Sequence, residues 1–242
     1  MMAVSAPKML LDEVARAGEC LARGEPILIF DAVDREGETD LVFLSEKATP
    51  ELLRLQRKDA GGLICTAISE EIRARLGLPY ASDLLAIGED RYPILSGVRL
   101  QRLRYDQRSA FGITVNHRTN FTGVPDNDRA ATVRALGTLA RDAATLTDAE
   151  LAARFTDEFT SPGHIPLLYS APTLVRERKG HTELAVSIAR MSGLSESVTV
   201  CEMLGDSGGP RSPDAARKYA EQHGWAFLEG RTITEAYLAW SG

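Results

Sequence analysis

The densest group of ionisable side chains in this sequence lies between two short apolar runs. Residues 31–40 read DAVDREGETD and contain five carboxylates and one arginine. Hard divalent cations take oxygen ligands from one or two carboxylates, while water and substrate complete the shell. Crowded carboxylates also spread in pKa, so that some can carry protons near neutral pH. The segment is therefore a candidate metal and acid–base site, although a solvated acidic turn has the same composition.

A second segment, residues 178–183, reads RKGHTE and places two cations beside a glycine and a histidine. Gly180 permits close approach of the backbone, and Thr182 is suited to cap the helix that the next residues predict. A helix N-terminus with basic side chains beside it is a natural phosphate site. His181 can bind a metal ion through its neutral imidazole. The alternative is a basic turn with an ordinary cap.

The remaining candidates are single residues close to predicted strands. His164 follows a Ser–Pro–Gly turn, where an imidazole can serve as a general acid or base or merely hydrogen-bond the backbone. Glu202 lies inside an apolar run, so its carboxylate needs a partner or a raised pKa. Thr122 precedes a predicted long helix and can offer its hydroxyl to a phosphate, or can belong to an ordinary turn. Cys65 and Cys201 occupy apolar runs, where cysteine is more often a small core residue.

The composition of the chain disfavours several classes of protein. A net charge of −6 argues against a nucleic-acid binder, which usually carries a basic face. The three cysteines are widely spaced and form neither a zinc knuckle nor a disulfide framework. The chain shows no signal peptide and no apolar run long enough to span a bilayer, so we expect a cytoplasmic enzyme without membrane partners. The phosphate-binding loop, the dinucleotide fingerprint and the hydrolase nucleophile elbow are all absent from the sequence.

The elements that must position these residues alternate between apolar runs and amphipathic segments. Strands are predicted at residues 26–30, 41–44, 62–68, 111–116, 164–169, 198–203 and 225–228. Helices are predicted at residues 10–22, 50–58, 69–77, 126–141 and 182–191, from 212 onward, and at 232–240. Residues 79–110 are expected to form an irregular insertion, and residues 143–161 a loop with at most one helical turn. The pattern predicts an α/β (α+β) fold, a mixed β-sheet sandwich covered by helices, with residues 1–242 in a single domain.

Six segments spread along the chain carry a family resemblance when they are taken together. They are DREGETD, KDAGGLICTAIS, FTGVPDNDRA, SPGH, RKGHTELAV and CEML, and with the first strand they extend from about residue 26 to residue 204. In this order they resemble the 3,4-dihydroxy-2-butanone 4-phosphate synthases of riboflavin biosynthesis. The REGETD sequence is similar to that of the stand-alone archaeal-type enzymes. Because several independent segments agree, the resemblance is specific.

The resemblance implies an activity, a cofactor and an assembly. The family converts D-ribulose 5-phosphate into 3,4-dihydroxy-2-butanone 4-phosphate and formate, in a mixed α/β sandwich fold. It implies Mg²⁺, for which Mn²⁺ can substitute, no organic cofactor, and a homodimer. The expected partner is therefore a small sugar phosphate rather than a nucleic acid or a membrane.

The resemblance also assigns expected roles to individual residues. Glu36 and His181 match the metal ligands of the family. The expected catalytic residues are His164, Glu202, Glu38, Asp40 and Cys65. The expected substrate-binding residues are Arg35, Glu36, Asp40, Thr122, Arg178, Lys179, Gly180, His181, Thr182 and Glu202. Which of the acids performs each proton transfer goes beyond the sequence.

Two other functions remain open at this point. A paralogue with the same scaffold and metal site can act on a different sugar phosphate in a specialised pathway. A protein without enzymatic activity can bind sugar phosphates or RNA, although the acidity of this chain and its full set of acids and histidines argue against that reading. Formate release from ribulose 5-phosphate distinguishes the three.

Overall fold

The computed structural model describes residues 6–99, 106 and 108–241, and within them the strands pair into one mixed sheet. The strands are β1 (Ile27–Phe30), β2 (Thr39–Leu44), β3 (Cys65–Ile68), β4 (Phe111–His117), β5 (Phe159–Tyr169), β6 (Ser197–Glu202) and β7 (Phe227–Glu229). Their order across the sheet is β4-β5-β3-β6-β2-β1-β7. The β3/β5 and β1/β7 pairs are parallel and the other four pairs are antiparallel. The predicted mixed α/β fold is confirmed.

The helices of the described residues pack against both faces of this sheet. They are α1 (Ala6–Arg23), α2 (Pro50–Leu55), α3 (Glu70–Leu76), α4 (Ala81–Gly88), α5 (Ile94–Val98), α6 (Asp126–Asp142), α7 (Asp148–Glu158), α8 (His181–Met191), α9 (Pro213–His223) and α10 (Gly230–Trp240). Apolar side chains of α1, α8 and α10 pack on one face, and those of α2, α3, α6, α7 and α9 pack on the other. None of the described helices has both the length and the apolar character needed to cross a membrane.

The alternation of side chains along the strands decides which residues reach the α8 side of the sheet. Val42, Val200 and Leu168 belong to the core on that side. Successive side chains along a strand point to opposite faces. Asp40 lies two positions from Val42, and Glu202 lies two positions from Val200, so both point to the α8 side. His164 lies where the pairing of β5 with β4 shifts register, between Thr160 and Ile165, so regular alternation does not extend to it. Asp40 and Glu202 are thus presented on the α8 face of one sheet.

Several helices begin or end at the residues that their sequence signals indicate. The hydroxyl of Thr49 accepts the N–H of Leu52 at the start of α2, and Pro50 occupies the first turn. Ser69 and Ser212 cap α3 and α9 in the same way. Gly24, with a φ of 80°, ends α1, because this left-handed conformation costs glycine little.

Three predicted elements were wrong. Residues 148–158 form helix α7 rather than a loop, and Thr147 and Glu150 form a reciprocal capping box at its start. Helices α4 and α5 lie within residues 79–110, which we expected to be irregular. Residues 100–105 and 107 of that insertion lie outside the described residues. Thr182 does not cap α8, because the helix already begins at His181 and its N-cap residue is Gly180.

Candidate active site

The acidic segment is the connection of the β1–β2 hairpin, and Asp31 organises it. The carboxylate of Asp31 accepts the backbone N–H groups of Glu36 at 3.0 Å and Glu38 at 3.1 Å. The backbone N–H of Asp31 in turn donates to the carbonyl oxygen of Glu38 at 3.2 Å. Gly37 adopts a φ of 70°, a conformation that few residues other than glycine adopt readily. The buried carboxylate of Asp31 therefore holds the loop in a shape that directs Glu36 toward α8.

Glu36 of this loop meets His181 at the first position of α8. Oε2 of Glu36 lies 3.2 Å from Nδ1 of His181. The other ring nitrogen, Nε2, lies 3.2 Å from the carbonyl oxygen of Glu38 and 3.6 Å from Oδ1 of Asp40. The imidazole is 6% exposed, so these contacts are largely shielded from solvent.

The close packing of these groups shifts their pKa values in opposite directions. Burial alone would raise the pKa of Glu36, but the hydrogen bond to His181 and the charge of Arg35 lower it to about 2. Burial alone would lower the pKa of His181, but the charge of Asp40 and the hydrogen bond to Glu36 raise it to about 9. Burial raises the pKa of Asp40 to about 7, with His181 opposing and Glu202 adding to the shift. Glu36 is therefore ionised, His181 is cationic and Asp40 titrates near neutral pH, and the three side chains lie close together.

The donor atoms at this position fit a divalent cation. One ligand atom from each of Asp31, Glu36 and His181 lies within 4.8 Å of the others. Adjacent ligands of an octahedral Mg²⁺ are separated by about 3 Å, which follows from metal–oxygen distances of about 2.1 Å. The observed 3.2 Å between Glu36 and His181 matches that separation. Oδ1 of Asp40, a buried atom without a hydrogen-bond partner in the described structure, faces the same group. Because both oxygens of Asp31 are engaged by the loop, Glu36 and His181 are the residues that could hold such a cation.

Two arginines lie beside the acidic loop and are linked by Asp106. Nη2 of Arg35 donates to Oδ2 of Asp106 at 2.7 Å, and Nε of Arg178 donates to the same oxygen at 2.8 Å. Nη1 of Arg178 donates to Oε2 of the buried Glu183 at 2.6 Å. A Cβ at Gly180 would lie 2.8 Å from Nη2 of Arg35 and would also strike Arg178, so the absent side chain leaves room for both guanidinium groups.

Glu202 lies on the strand next to Asp40 and directly opposite it in the register. The backbone N–H of Leu63 donates to Oε2 of Glu202 at 2.8 Å, which orients the carboxylate. A Cβ on Gly62 would lie 2.6 Å from the carbonyl oxygen of Glu202 and would also meet its carboxylate. Burial, with the negative charges of Glu36 and Glu202, raises the pKa of Glu38. The neighbouring carboxylates therefore favour the protonated form of Glu38.

Cys65 borders the same region from β3, where it pairs in register with Val200. Its side chain is buried, and burial, together with the nearby Glu202 and Asp40, raises the pKa of the thiol. A thiol in this surrounding stays protonated at neutral pH and is a poor nucleophile. Cys65 is therefore better suited to line the pocket than to form a covalent bond with a substrate.

His164 and Gly123, the neighbour of Thr122, lie against Asn116 and form a second group. Oδ1 of Asn116 accepts the backbone N–H of His164 at 2.9 Å, and Nδ2 lies 3.1 Å from the imidazole Nδ1. Gly123, next to Thr122, approaches Asn116 so closely that a Cβ there would overlap its side chain. The backbone N–H groups of Thr122 and Gly123 donate to Oδ2 of Asp128 at 3.2 and 2.8 Å.

Strand order separates this second group from Glu202. His164 belongs to β5 and Glu202 ends β6, and β3 lies between these two strands in the sheet. Within the described residues, no hydrogen bond or ion pair joins His164 or Thr122 to the Glu36–His181 group.

The structure brings most of the sequence candidates together and adds others. Arg35, Glu36, Glu38, Asp40, Arg178, His181 and Glu202 form one connected group. Lys179 is exposed beside it, and Gly180 and Thr182 lie at the N-terminal end of α8. Asp106 and Asn116 have clear structural roles but were not among the candidates, and no local signal marks either of them. Asp31 and Glu183 lie within the two candidate segments, although neither was assigned an individual role from the sequence.

An open cavity leads to the arginine side of this group. Its volume is about 780 Å³, and Arg35, Asp106, Arg178 and Lys179 contribute to its lining. The N-terminal half of α10, including Arg231, forms the opposite wall. A cavity of this volume is sufficient for a small sugar phosphate.

Comparison with known proteins points to one family. The family model described as 3,4-dihydroxy-2-butanone 4-phosphate synthase matches residues 15–236. A protein of Methanothermobacter thermautotrophicus named 3,4-dihydroxy-2-butanone 4-phosphate synthase is 42% identical, over 93% of this chain and 96% of its own length. A protein of Methanosarcina mazei with the same name is 41% identical, over 100% of this chain and 97% of its own length.

Solved structures agree with the fold. The structure of 3,4-dihydroxy-2-butanone 4-phosphate synthase from Candida albicans has a TM-score of 0.68 and 28% identity, over 92% of this chain and 95% of that one. A structure described as 3,4-dihydroxy-2-butanone 4-phosphate synthase in complex with two magnesium ions has a TM-score of 0.70. Its identity is 21%, over 91% of this chain and 94% of that one, so it supports the fold alone.

Proposed function

Because the chain belongs to the 3,4-dihydroxy-2-butanone 4-phosphate synthase family of riboflavin biosynthesis, we propose that it converts D-ribulose 5-phosphate into 3,4-dihydroxy-2-butanone 4-phosphate and formate. The observation that carries this proposal is the meeting of Glu36 with His181 at 3.2 Å above the buried Asp40. The two products together contain every atom of the substrate. The reaction therefore needs proton transfers and a rearrangement of the carbon skeleton, but no oxidant and no organic cofactor.

We propose Mg²⁺, with Mn²⁺ as a substitute, as the ion held by Glu36 and His181. The choice rests on the donor set of the site and on the related structure described with two magnesium ions. When bound, the ion would stabilise negative charge that develops on adjacent substrate oxygens after a proton leaves the neighbouring carbon. The remaining contributions come from the side chains of the protein.

Asp40, Glu202 and Glu38 are the proposed carriers of protons. The raised pKa of Asp40, about 7, allows this carboxyl group to accept and return a proton at neutral pH. Glu202 faces it across the strand pair and is oriented by the N–H of Leu63. Several positioned acids are required because the reaction removes a proton from carbon, expels a hydroxyl group as water and later adds water back.

The arginines and the start of α8 are the proposed phosphate site. Arg178 and Arg35 supply guanidinium groups that match phosphate oxygens in pairs, and the N–H groups at the α8 N-terminus favour an anion. Lys179 and Thr182 lie close enough in sequence to contribute. This arrangement would hold the substrate at one end while its reacting carbons lie near Glu36 and His181.

His164, Thr122 and Cys65 have proposed roles farther from the ion. His164 is oriented by Asn116, as a general acid or base should be. Thr122 is proposed to contact the substrate from the loop before α6. Cys65 is proposed to shape the pocket as a neutral thiol.

We also propose that the protein acts in the cytoplasm as a homodimer. Phe121 is 98% exposed and Val124 is 52% exposed, and they flank Thr122 in the loop before α6. Apolar side chains at this exposure are more stable when an interface covers them. A mass in solution of twice the 26.3 kDa of one chain, measured by light scattering, would support the dimer, and a monomer would contradict it.

The test of the proposed activity is formate release from ribulose 5-phosphate. The purified protein with Mg²⁺ is expected to release one formate per substrate consumed, and EDTA is expected to stop the release. Parallel assays with other pentose and hexose phosphates identify a paralogue of altered specificity. If formate fails to appear with ribulose 5-phosphate at any concentration of Mg²⁺ or Mn²⁺, the proposed reaction is wrong.

A further inference from the structure

One carboxylate holds both arginines of the proposed phosphate site. Oδ2 of Asp106 lies 2.7 Å from Nη2 of Arg35 and 2.8 Å from both Nε and Nη2 of Arg178. Two guanidinium groups that converge on one oxygen atom also match the oxygens of a phosphate monoester. Asp106 therefore takes the place in which an anionic group of a ligand would be bound.

The two carboxylates that contact Arg178 differ in how firmly they are fixed. Glu183 lies inside α8 with a side chain that is 0% exposed, and its second oxygen accepts the backbone N–H of Ala171 at 2.8 Å. Asp106 lies between the described helices and strands, and its side chain is 12% exposed. Glu183 can therefore keep Nη1 of Arg178 in place while Asp106 leaves Nε and Nη2.

The open cavity gives a ligand access to the same atoms. Arg35, Arg178 and Asp106 all line this cavity of about 780 Å³, so a phosphate group can reach the guanidinium groups from solvent. Arg35 keeps contacts with Asp31 at 3.3 Å and Glu36 at 3.1 Å when Asp106 departs. Neither arginine would be left without an anionic neighbour during the exchange.

We propose that Asp106 is an internal anion that competes with the phosphate group of the substrate for Arg35 and Arg178, and thereby sets the affinity of the site for phosphate monoesters. The inference rests on the proposed function, because it assumes that these arginines bind the phosphate of the substrate. A competing carboxylate keeps the two cations aligned while the site is empty and weakens binding of every phosphate ligand. Asp106 thus sets phosphate affinity through the arginines and does not act on the reacting carbons.

The test is the affinity for inorganic phosphate in the absence of substrate. Asp106→Asn keeps the size of the side chain but removes its charge, so both guanidinium groups should bind phosphate more strongly. We expect the dissociation constant, measured by calorimetry, to fall at least about fivefold, as the loss of one charge-assisted competitor predicts. Asp106→Ala should also lower the dissociation constant for phosphate. This variant replaces Asp106→Asn in the test if the Asn variant is poorly folded.

Asp34→Asn is the matched control. Asp34 lines the same cavity, is exposed and gives the same change in net charge, but it makes no hydrogen bond or ion pair with either arginine among the described contacts. The phosphate affinity of Asp34→Asn should stay within about twofold of wild type, because an exposed carboxylate that contacts neither guanidinium group is screened by solvent. An equal gain in phosphate affinity in both variants would show a general effect of net charge and would overturn the proposal.

Turnover provides a second readout. In Asp106→Asn the KM for ribulose 5-phosphate should fall together with the phosphate dissociation constant, while kcat changes less than KM. A rise in both constants would show that Asp106 serves only to support the arginines, and would overturn the inference. Because phosphate binding is measured without turnover, failure of formate release in the wild type would count against the proposed reaction and leave the competition result intact.

Discussion

Asp40 and Glu202 lie directly opposite each other on the antiparallel strands β2 and β6, and both carboxylates point to the α8 face of the sheet. Like charges in this relation favour protonation of one partner, and burial raises the pKa of Asp40 to about 7. The two carboxylates lie beneath the contact between Glu36 and His181, where Asp40 is proposed to accept and return a proton.

Glu202→Gln should lower kcat far more than it changes KM. The amide oxygen can still accept the N–H of Leu63, so the strand and the side chain should keep their positions. The amide cannot exchange a proton, and loss of general acid–base catalysis typically costs about 100-fold or more in rate. Steady-state kinetics of formate release measure both constants. Glu221→Gln, an exposed change on α9, is the control, and a pure loss of substrate affinity in Glu202→Gln would reassign the residue to binding.

Gly62→Ala should impair the enzyme through Glu202 without touching an ionisable residue. The new Cβ would lie 2.6 Å from the carbonyl oxygen of Glu202 and would push its side chain aside. We expect a fall in kcat in the direction of Glu202→Gln, with a modest loss of stability of about 1–3 kcal/mol from the overlap. Gly209→Ala, where a Cβ meets no atom within 4 Å, is the matched control. Normal turnover in a folded Gly62→Ala protein would show that the position of Glu202 is unimportant.

Glu36→Gln should weaken binding of the divalent ion and abolish turnover, while the fold remains intact. The amide keeps the shape of the side chain but loses the charge that a hard cation requires. The affinity for Mn²⁺, measured by calorimetry, should fall by at least about 100-fold, since even the indirect partners of metal ligands contribute 10- to 100-fold. Glu19→Gln, an exposed change on α1, should bind as the wild type does. Unchanged Mn²⁺ affinity in Glu36→Gln would remove this residue from the ligand set.

Binding of the ion should release about one proton and should strengthen as the pH rises. In the protein without metal, Asp40 and Glu36 outweigh burial and raise the pKa of His181 to about 9, so the imidazole is cationic at pH 7.5. A metal ligand must be neutral imidazole, and the proton must therefore leave. Between pH 7 and 9 the apparent affinity should increase about tenfold per pH unit, and loss of the proton from Asp40 acts in the same direction.

Calorimetry in buffers of different ionisation enthalpy counts the released protons. Above pH 9 the increase in affinity should level off, because His181 is then already neutral. An affinity for Mg²⁺ or Mn²⁺ that does not vary between pH 7 and 9 would mean that His181 does not ligate the ion.

Local signals in the sequence were sufficient for most of the elements. Thr49, Ser69 and Ser212 mark helix starts because a hydroxyl oxygen accepts an N–H only two or three residues away. Helix α7 was missed although its capping box, Thr147 with Glu150, is also local.

The sequence by itself determined the residue types of the site, the family to which they belong and the two-residue periodicity that sets Asp40 on the face of Val42 and Glu202 on the face of Val200. Only the tertiary structure decided that these strands are neighbours in matching register, although the two residues are separated by 162 positions. It also decided that Asp106 reaches Arg178 across 72 positions. Spacing along the chain reports faces and caps, because those depend on a few consecutive residues. Which distant segments meet depends on how the two faces of the whole sheet are covered by helices, and no short stretch of sequence contains that information.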